Sequence, residues 1–257
     1  MFKKIALFAL TIALITTIAP SAKADLVARS VVYEINNQPY EGYFVQNEGF
    51  GENQPLVLLI HDWDGLGQYE QRRANLLATQ GYTVFAVDLY GQGVRPETTE
   101  ESQAQSGKLY SNRELMRDRL FAGLQQAQAM PRVNGDQVVA IGYCFGGAAA
   151  LEMARAGADL DGFVVFHGSF ETPEGQDYKQ VQAPILILHG SDDSVAPMQQ
   201  VAEFATMLNE AEVDYTMEIY GGAKHAFTVW GDDSRYDPSA DLKSWAGMLQ
   251  FLNEQLR

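Results

Sequence analysis

Five short runs of this chain are apolar at nearly every position, and each stops abruptly at a histidine, aspartate or glycine. They are residues 55–60, 83–87, 138–141, 163–166 and 185–188. A strand with one wet face alternates apolar and polar side chains, so a run that is apolar throughout must be covered on both faces. Stretches of helical pattern separate the runs, at 68–80, behind 111–114, from Cys144 to about Arg155, and at 199–209. Strands alternating with helices specify one α/β domain, a single doubly wound and mostly parallel sheet, spanning residues 25–257. In such sheets ligands sit outside the carboxyl ends of the strands, so the residue after each run is the one to inspect.

The remaining elements complete the pattern. Residues 31–33 and 43–45 read as two further strands joined by the turn-like Asn36-Asn37-Gln38-Pro39. Residues 215–220 read as a strand. The polar stretch 89–108 reads as a long loop serving as pocket wall or lid. Ser111 and Glu114 have the spacing of a capping box, ahead of a helix that buries Met116, Leu120, Leu124 and Ala127. In the last helix, Leu242, Trp245, Leu249, Leu252 and Leu256 recur at spacings of three and four, which predicts the buried stripe.

The first 24 residues are expected to stand outside this domain. Lys3 and Lys4 precede an apolar run from Ile5 to Ile18, which is short for a membrane span, and Ala22-Lys23-Ala24 has the form of a cleavage site. This layout predicts a signal peptide over residues 1–24 and an exported protein, periplasmic or secreted, with no membrane attachment after cleavage. The whole chain carries 33 acidic against 18 basic residues and a net charge of −15, which argues against a nucleic-acid partner. Its one cysteine excludes an intrachain disulfide and any multi-cysteine metal site. His61, His167, His189 and His225 show no metal-ligand spacing, so neither a metal nor any cofactor is expected.

Three strand ends carry chemistry. Gly142-Tyr143-Cys144-Phe145-Gly146 is the G-x-S-x-G turn with cysteine as the nucleophile. Glycines two before and two after keep the tight strand-to-helix turn free of side chains. Cys144 then stands at a helix N-terminus, which favours thiolate. After residue 188 comes His189-Gly190-Ser191-Asp192-Asp193. A carboxylate here orients a catalytic histidine; Asp193 fits best and Asp192 is the fallback, although an Asx-turn ahead of Pro197 accounts for one of them equally well. After residue 220, His225 sits in a glycine-containing loop. The order nucleophile, acid, histidine is that of α/β-hydrolases. An oxyanion needs two donors, and the backbone N–H groups of Phe145 and of Trp63, after the first run, are the candidates. His61 is expected to hold that loop.

These segments resemble the dienelactone hydrolase family, through His61-Asp62-Trp63-Asp64-Gly65, Asp88-Leu89-Tyr90-Gly91, the Cys144 turn, His189-Gly190-Ser191-Asp192-Asp193 and Gly222-Ala223-Lys224-His225-Ala226-Phe227. The resemblance implies a Cys–His–Asp triad that opens a small ester or lactone through an acyl-enzyme. It also implies a thiolate-modulating acid at Asp62, where the family prototype has glutamate. Substrate contacts are implied near Tyr90, Gln92 and Arg95; the two carboxylate-binding arginines of the prototype fall at Gln92 and Val229. A carboxylate at Asp62 opposes the helix terminus, because it disfavours thiolate. Thioester or aryl-ester hydrolysis on the same triad, and a hydrolase fold that binds without catalysis, are the alternatives. A small-molecule substrate and a monomer or homodimer complete the expectation.

Overall fold

The computed structural model describes residues 25–256. The leader expected over residues 1–24 lies outside the described residues. Eight strands form one sheet: β1 (Leu26–Ile35), β2 (Gln38–Asn47), β3 (Gln54–Ile60), β4 (Thr83–Val87), β5 (Val133–Tyr143), β6 (Gly162–Phe166), β7 (Ile185–Gly190) and β8 (Tyr215–Tyr220). Their order is β1-β2-β4-β3-β5-β6-β7-β8. β1 pairs antiparallel with β2, and β2 with β4; every other neighbouring pair is parallel. Asn36 and Asn37 close the first hairpin with φ of 51° and 62°. Asparagine tolerates the left-handed region that a two-residue turn of this twist demands.

The expectation of two covered faces is met. On one face, Leu56, Leu58, Phe85, Val87 and Ala140 pack with Met116 and Leu120 of α3 (Arg113–Gln128), the alanines of α4 (Phe145–Arg155) and Phe204 of α5 (Met198–Glu210). On the other, Val57, Leu59, Val84, Val139 and Ile141 pack with Ala74 and Leu77 of α1 (Gln68–Ala78) and with Met248 and Leu252 of α6 (Pro238–Leu256). Central strands enclosed in this way cannot slide or flip register without exposing their apolar set. Among the described residues, no helix is long and apolar enough to cross a membrane.

Three local expectations give way. Residues 89–108 are not one loop, because α2 (Thr99–Tyr110) occupies the second half. A capping box starts it: Thr98 Oγ1 accepts from Glu101 N at 3.2 Å, and Glu101 Oε2 accepts from Thr98 N at 3.2 Å. Its inward side carries mainly serines, Ser102 and Ser106, before Leu109, so no apolar period betrays it. The supposed box at Ser111 and Glu114 does not form. Ser111 ends α2, donating to Gly107 O at 2.6 Å, and Asn112 caps α3 by accepting from Leu115 N at 3.0 Å. In α6 the expected stripe holds at Leu252 and Leu256, with Trp245 and Leu249 packed beside the core, but it fails at Leu242, which is 71% exposed; Asp241, Ser244, Met248 and Phe251 complete the buried face. Asp241 turns inward because Arg73 of α1 meets it at 2.5 Å.

Candidate active site

β5 delivers the nucleophile turn. Cys144 takes φ 53° and ψ −112°, a conformation that costs energy for a residue with a Cβ, and caps α4. The turn closes that tightly only because its flanks are bare: a Cβ on Gly142 would overlap the Gly146 carbonyl, and one on Gly146 would overlap the Ile60 carbonyl. Cys144 N donates to Phe166 O at 3.0 Å, which ties the turn to the end of β6.

The turns after β7 and β8 bring up the other two groups. His225 Nε2 lies 3.1 Å from Cys144 Sγ, and its Nδ1 lies 2.8 Å from Asp193 Oδ2. The second oxygen of Asp193 accepts from Val195 N at 2.8 Å and Ala196 N at 2.9 Å. Burial opposes its charge, yet the His225 hydrogen bond and the backbone donors outweigh that and hold the carboxyl below the usual aspartate range. Asp193 is thus both the Asx-turn and the partner of His225, while Asp192 is exposed. His189 donates from Nε2 to Ala196 O at 2.8 Å and props this turn from behind.

The loop after β3 closes the site. The backbone N–H groups of Trp63 and Phe145 lie near enough to the Cys144 sulfur to favour its thiolate. His61 lies beneath: Nδ1 donates to Asp62 O at 2.5 Å, and Nε2 accepts from Leu89 N at 3.2 Å. Asp62 Oδ1 accepts from Asp64 N at 3.0 Å, so it braces its own loop and also faces the thiol. Cys144 is partly exposed to the cavity, but protein packs around its sulfur. Burial, and next to it the Asp62 charge, push the thiol well above the ordinary cysteine range. The helix terminus therefore does not prevail over its surroundings, which favour the thiol over the thiolate.

These residues open onto a cavity of about 390 Å³ lined also by Asp64, Ser106, Tyr110, Val195, Ala226, Val229 and Arg235. Tyr90, Gln92 and Arg95 are not on its wall. Tyr90 donates to Trp63 O at 2.9 Å and so supports the loop from outside. Gln92 is exposed, with its backbone N bonded to Pro39 O. Arg95 donates to Val94 O at 2.8 Å and approaches Asp88 at 3.7 Å. The cationic side chain that does reach the cavity is Arg235, already 2.6 Å from Asp232. Nothing in its local pattern marks it. Ser106 and Tyr110 escape sequence reasoning because α2 does.

Asp62, Asp64 and Glu70 are the described residues whose carboxylates could share a cation, with oxygens within 4.8 Å of one another. Two of them already serve the backbone. Glu70 accepts from Gly67 N at 2.8 Å and Asp62 N at 3.4 Å, and Asp62 from Asp64 N. Burial pushes Glu70 up to about 7 and Asp62 well above the aspartate range.

Known proteins resemble this chain over most of its length. A crystallised dienelactone hydrolase-like promiscuous phosphotriesterase, P91 from metagenomic libraries, superimposes with a TM-score of 0.85 at 30% identity, over 91% of this chain and 100% of that one. A protein of Synechocystis sp. named "Putative carboxymethylenebutenolidase" is 25% identical over 91% of this chain and 99% of its own. A Bradyrhizobium sp. protein named "Probable 2-oxo-3-(5-oxofuran-2-ylidene)propanoate lactonase" is 27% identical over 79% of this chain and 84% of its own. The profile of the dienelactone hydrolase family matches residues 40–256. The chain is a dienelactone hydrolase-like hydrolase and belongs to the dienelactone hydrolase family of the α/β-hydrolase superfamily.

Proposed function

We propose that this protein hydrolyses small carboxylic esters and lactones, with Cys144 as nucleophile, His225 as proton carrier and Asp193 as its orienting acid. The observation that carries the reading is the unbroken line Sγ, Nε2, Nδ1, Oδ2, at 3.1 and 2.8 Å, beneath a cavity. The Cys144 proton passes to His225 Nε2, 3.1 Å away, as sulfur bonds to the ester carbon. Asp193 stabilises the imidazolium so formed. The carbonyl oxygen becomes an oxyanion where the Trp63 and Phe145 N–H groups converge. Collapse returns the proton to the departing alkoxide and leaves a thioester on Cys144. Water, deprotonated by His225, attacks that thioester, and the carboxylic acid leaves as the thiol reforms.

The walls favour uncharged groups near the reacting carbonyl. Trp63, Tyr110, Phe145, Val195, Ala226 and Val229 are apolar over most of their surface, Asp62 and Asp64 are acidic, and Arg235 is engaged by Asp232. A neutral ester enters without having to displace an ion pair. The leader-like start over residues 1–24 supports an exported site of action.

Steady-state assays on activated esters and lactones test the reading. Cys144→Ala is expected to lower kcat/KM by about a thousandfold or more, and intact-mass measurement should find an acyl adduct on the wild type alone. Equal turnover by the two proteins would remove Cys144 from the chemistry.

A further inference from the structure

Thr228 lies in the loop that carries His225, and three hydrogen bonds converge on it. Its carbonyl accepts from Arg73 Nη2 at 2.7 Å, and its Oγ1 lies 2.7 Å from Tyr69 OH and 2.8 Å from His167 Nε2. Between Thr228 and His225, Ala226 holds φ 62°, a left-handed conformation that persists in a residue with a Cβ only when its surroundings enforce it. The arginine that grips this loop is buried. Arg73 is 3% exposed, paired with Asp241, and enclosed by the rings of Trp230, Tyr69, Trp245 and Tyr143 at 4.0 to 5.8 Å. Asp241 in turn accepts from Trp230 Nε1 and Tyr236 OH, both at 3.2 Å, so the same ion pair grips the loop at a second place.

The bonds have a direction. Arg73 Nε can only donate, and it donates to Tyr69 OH at 3.2 Å. The phenol then places its own proton on Thr228 Oγ1, since that is the remaining partner of its oxygen. Thr228, having accepted, turns its proton to His167 Nε2. With the Thr228 proton so directed, His167 accepts at Nε2 and carries its own proton on Nδ1. Nδ1 makes no well-formed hydrogen bond that would dictate otherwise; the residue's own carbonyl favours a proton there. The ring stands edge to face against His225, with centroids 5.4 Å apart. A charged ring at that distance would repel the imidazolium that the proposed reaction forms. Burial, and then the neighbouring His225 and His189, hold His167 neutral.

We propose that Arg73 is a positioning residue for His225: through Tyr69 and Thr228 it fixes the loop and sets His167 as an uncharged Nδ1–H ring beside the catalytic imidazole. The inference rests on the reading of His225 as the proton carrier. Arg73 and His167 touch neither the cavity nor Cys144, so their effect passes through His225.

Imidazole ¹⁵N shifts of the full-length labelled protein test the direction without any variant in the chain. The His167 signals, identified by their loss in His167→Gln, are expected to report a proton on Nδ1 and a bare Nε2. A proton on Nε2 overturns the proposal. Thr228→Val keeps the side-chain volume and removes the hydroxyl. It is expected to lower kcat about tenfold with KM within about twofold, and to broaden the His225 Nδ1 proton bonded to Asp193. Thr228→Ser restores turnover to within about threefold. If Thr228→Val does not fold, Tyr69→Phe removes the preceding link and should scramble the His167 tautomer. Unchanged turnover in Thr228→Val beside an inactive His225→Ala overturns the positioning claim. Full turnover in His225→Ala overturns the catalytic reading, and the inference with it.

Discussion

Cys144, Asp193 and His225 stand on turns that leave β5, β7 and β8, while Ser106 and Tyr110 come from α2 and Val229 and Arg235 from the segment before α6. Cys144 and Asp193 are held by backbone with almost no freedom. Gly142 and Gly146 admit no side chain, and Asp193 is pinned by two N–H groups of its own turn. The second set is held by side chains: a serine-faced helix, and a loop gripped through Arg73 and Asp241. On the proposed reading the strand-end turns decide which bond is broken, and the walls decide which molecule reaches it. Substitutions in the turns should change kcat, and substitutions in the walls should change KM.

The sharpest way to break this division is Asp193→Asn. Asparagine can keep its oxygen on Val195 N and Ala196 N, which turns its NH₂ toward His225 Nδ1. Donor then faces donor, and the ring avoids the clash by moving its proton to Nε2, where it can no longer take one from Cys144. The expected loss is about a hundredfold or more in kcat, with KM and melting temperature little changed. A loss confined to KM would place Asp193 with the walls.

A smaller effect is expected at Asp62, which belongs to both sets. Its charge raises the Cys144 thiol, although burial contributes more. A carboxylate at Asp62 disfavours the thiolate, so Asp62→Asn removes that influence and is expected to lower the thiol pKa. The buried remainder of the shift stays. The variant should show about tenfold more thiolate at a given alkaline pH, and its iodoacetamide rate profile should lie about one unit lower. Superimposable profiles would leave Asp62 as the acceptor for Asp64 N and nothing more.

The same division explains what could be read from the chain. Continuous apolar runs forecast the sheet because a strand covered on both faces has no other composition. The Cys144 turn was legible because steric crowding dictates glycine at fixed offsets. That Asp193 and not Asp192 would meet His225 was legible too, since its place follows from a strand end. The walls left no such mark. α2 has serines where an apolar stripe would announce a helix, and the pattern in α6 pointed at Leu242 because the residue actually buried is charged, Asp241, drawn in by Arg73 more than 160 positions earlier. Arg95 looked close to the site in sequence, but its guanidinium is taken by Val94 O and Asp88. Arg235, with no motif around it, reaches the cavity instead.

The smallest effect tests the walls alone. Thr98 caps α2 by accepting from Glu101 N, and Glu101 returns a bond to Thr98 N. Thr98→Ala removes one half of this exchange, at a cost of about 1 kcal/mol. The loss falls on the first turn of a helix whose inward contacts are few: Ser102 donates to Thr98 O at 3.0 Å and Ser106 to Ser102 O at 2.8 Å, so the serines serve the helix more than the core. Fraying from Thr98 therefore propagates toward Ser106 and Tyr110, which face the cavity, and leaves the Cys144 turn untouched. The ring of Tyr110 meets Phe145 at 5.3 Å, close to a right angle, and this contact limits how far the fraying runs. The expected result is a KM raised about threefold for esters large enough to touch α2, with kcat and the iodoacetamide rate of Cys144 unchanged. Amide exchange should quicken over residues 99–106 and not in α4. A fall in kcat of the same size would mean that α2 shapes the nucleophile turn through Tyr110 and Phe145, and that the two sets are coupled.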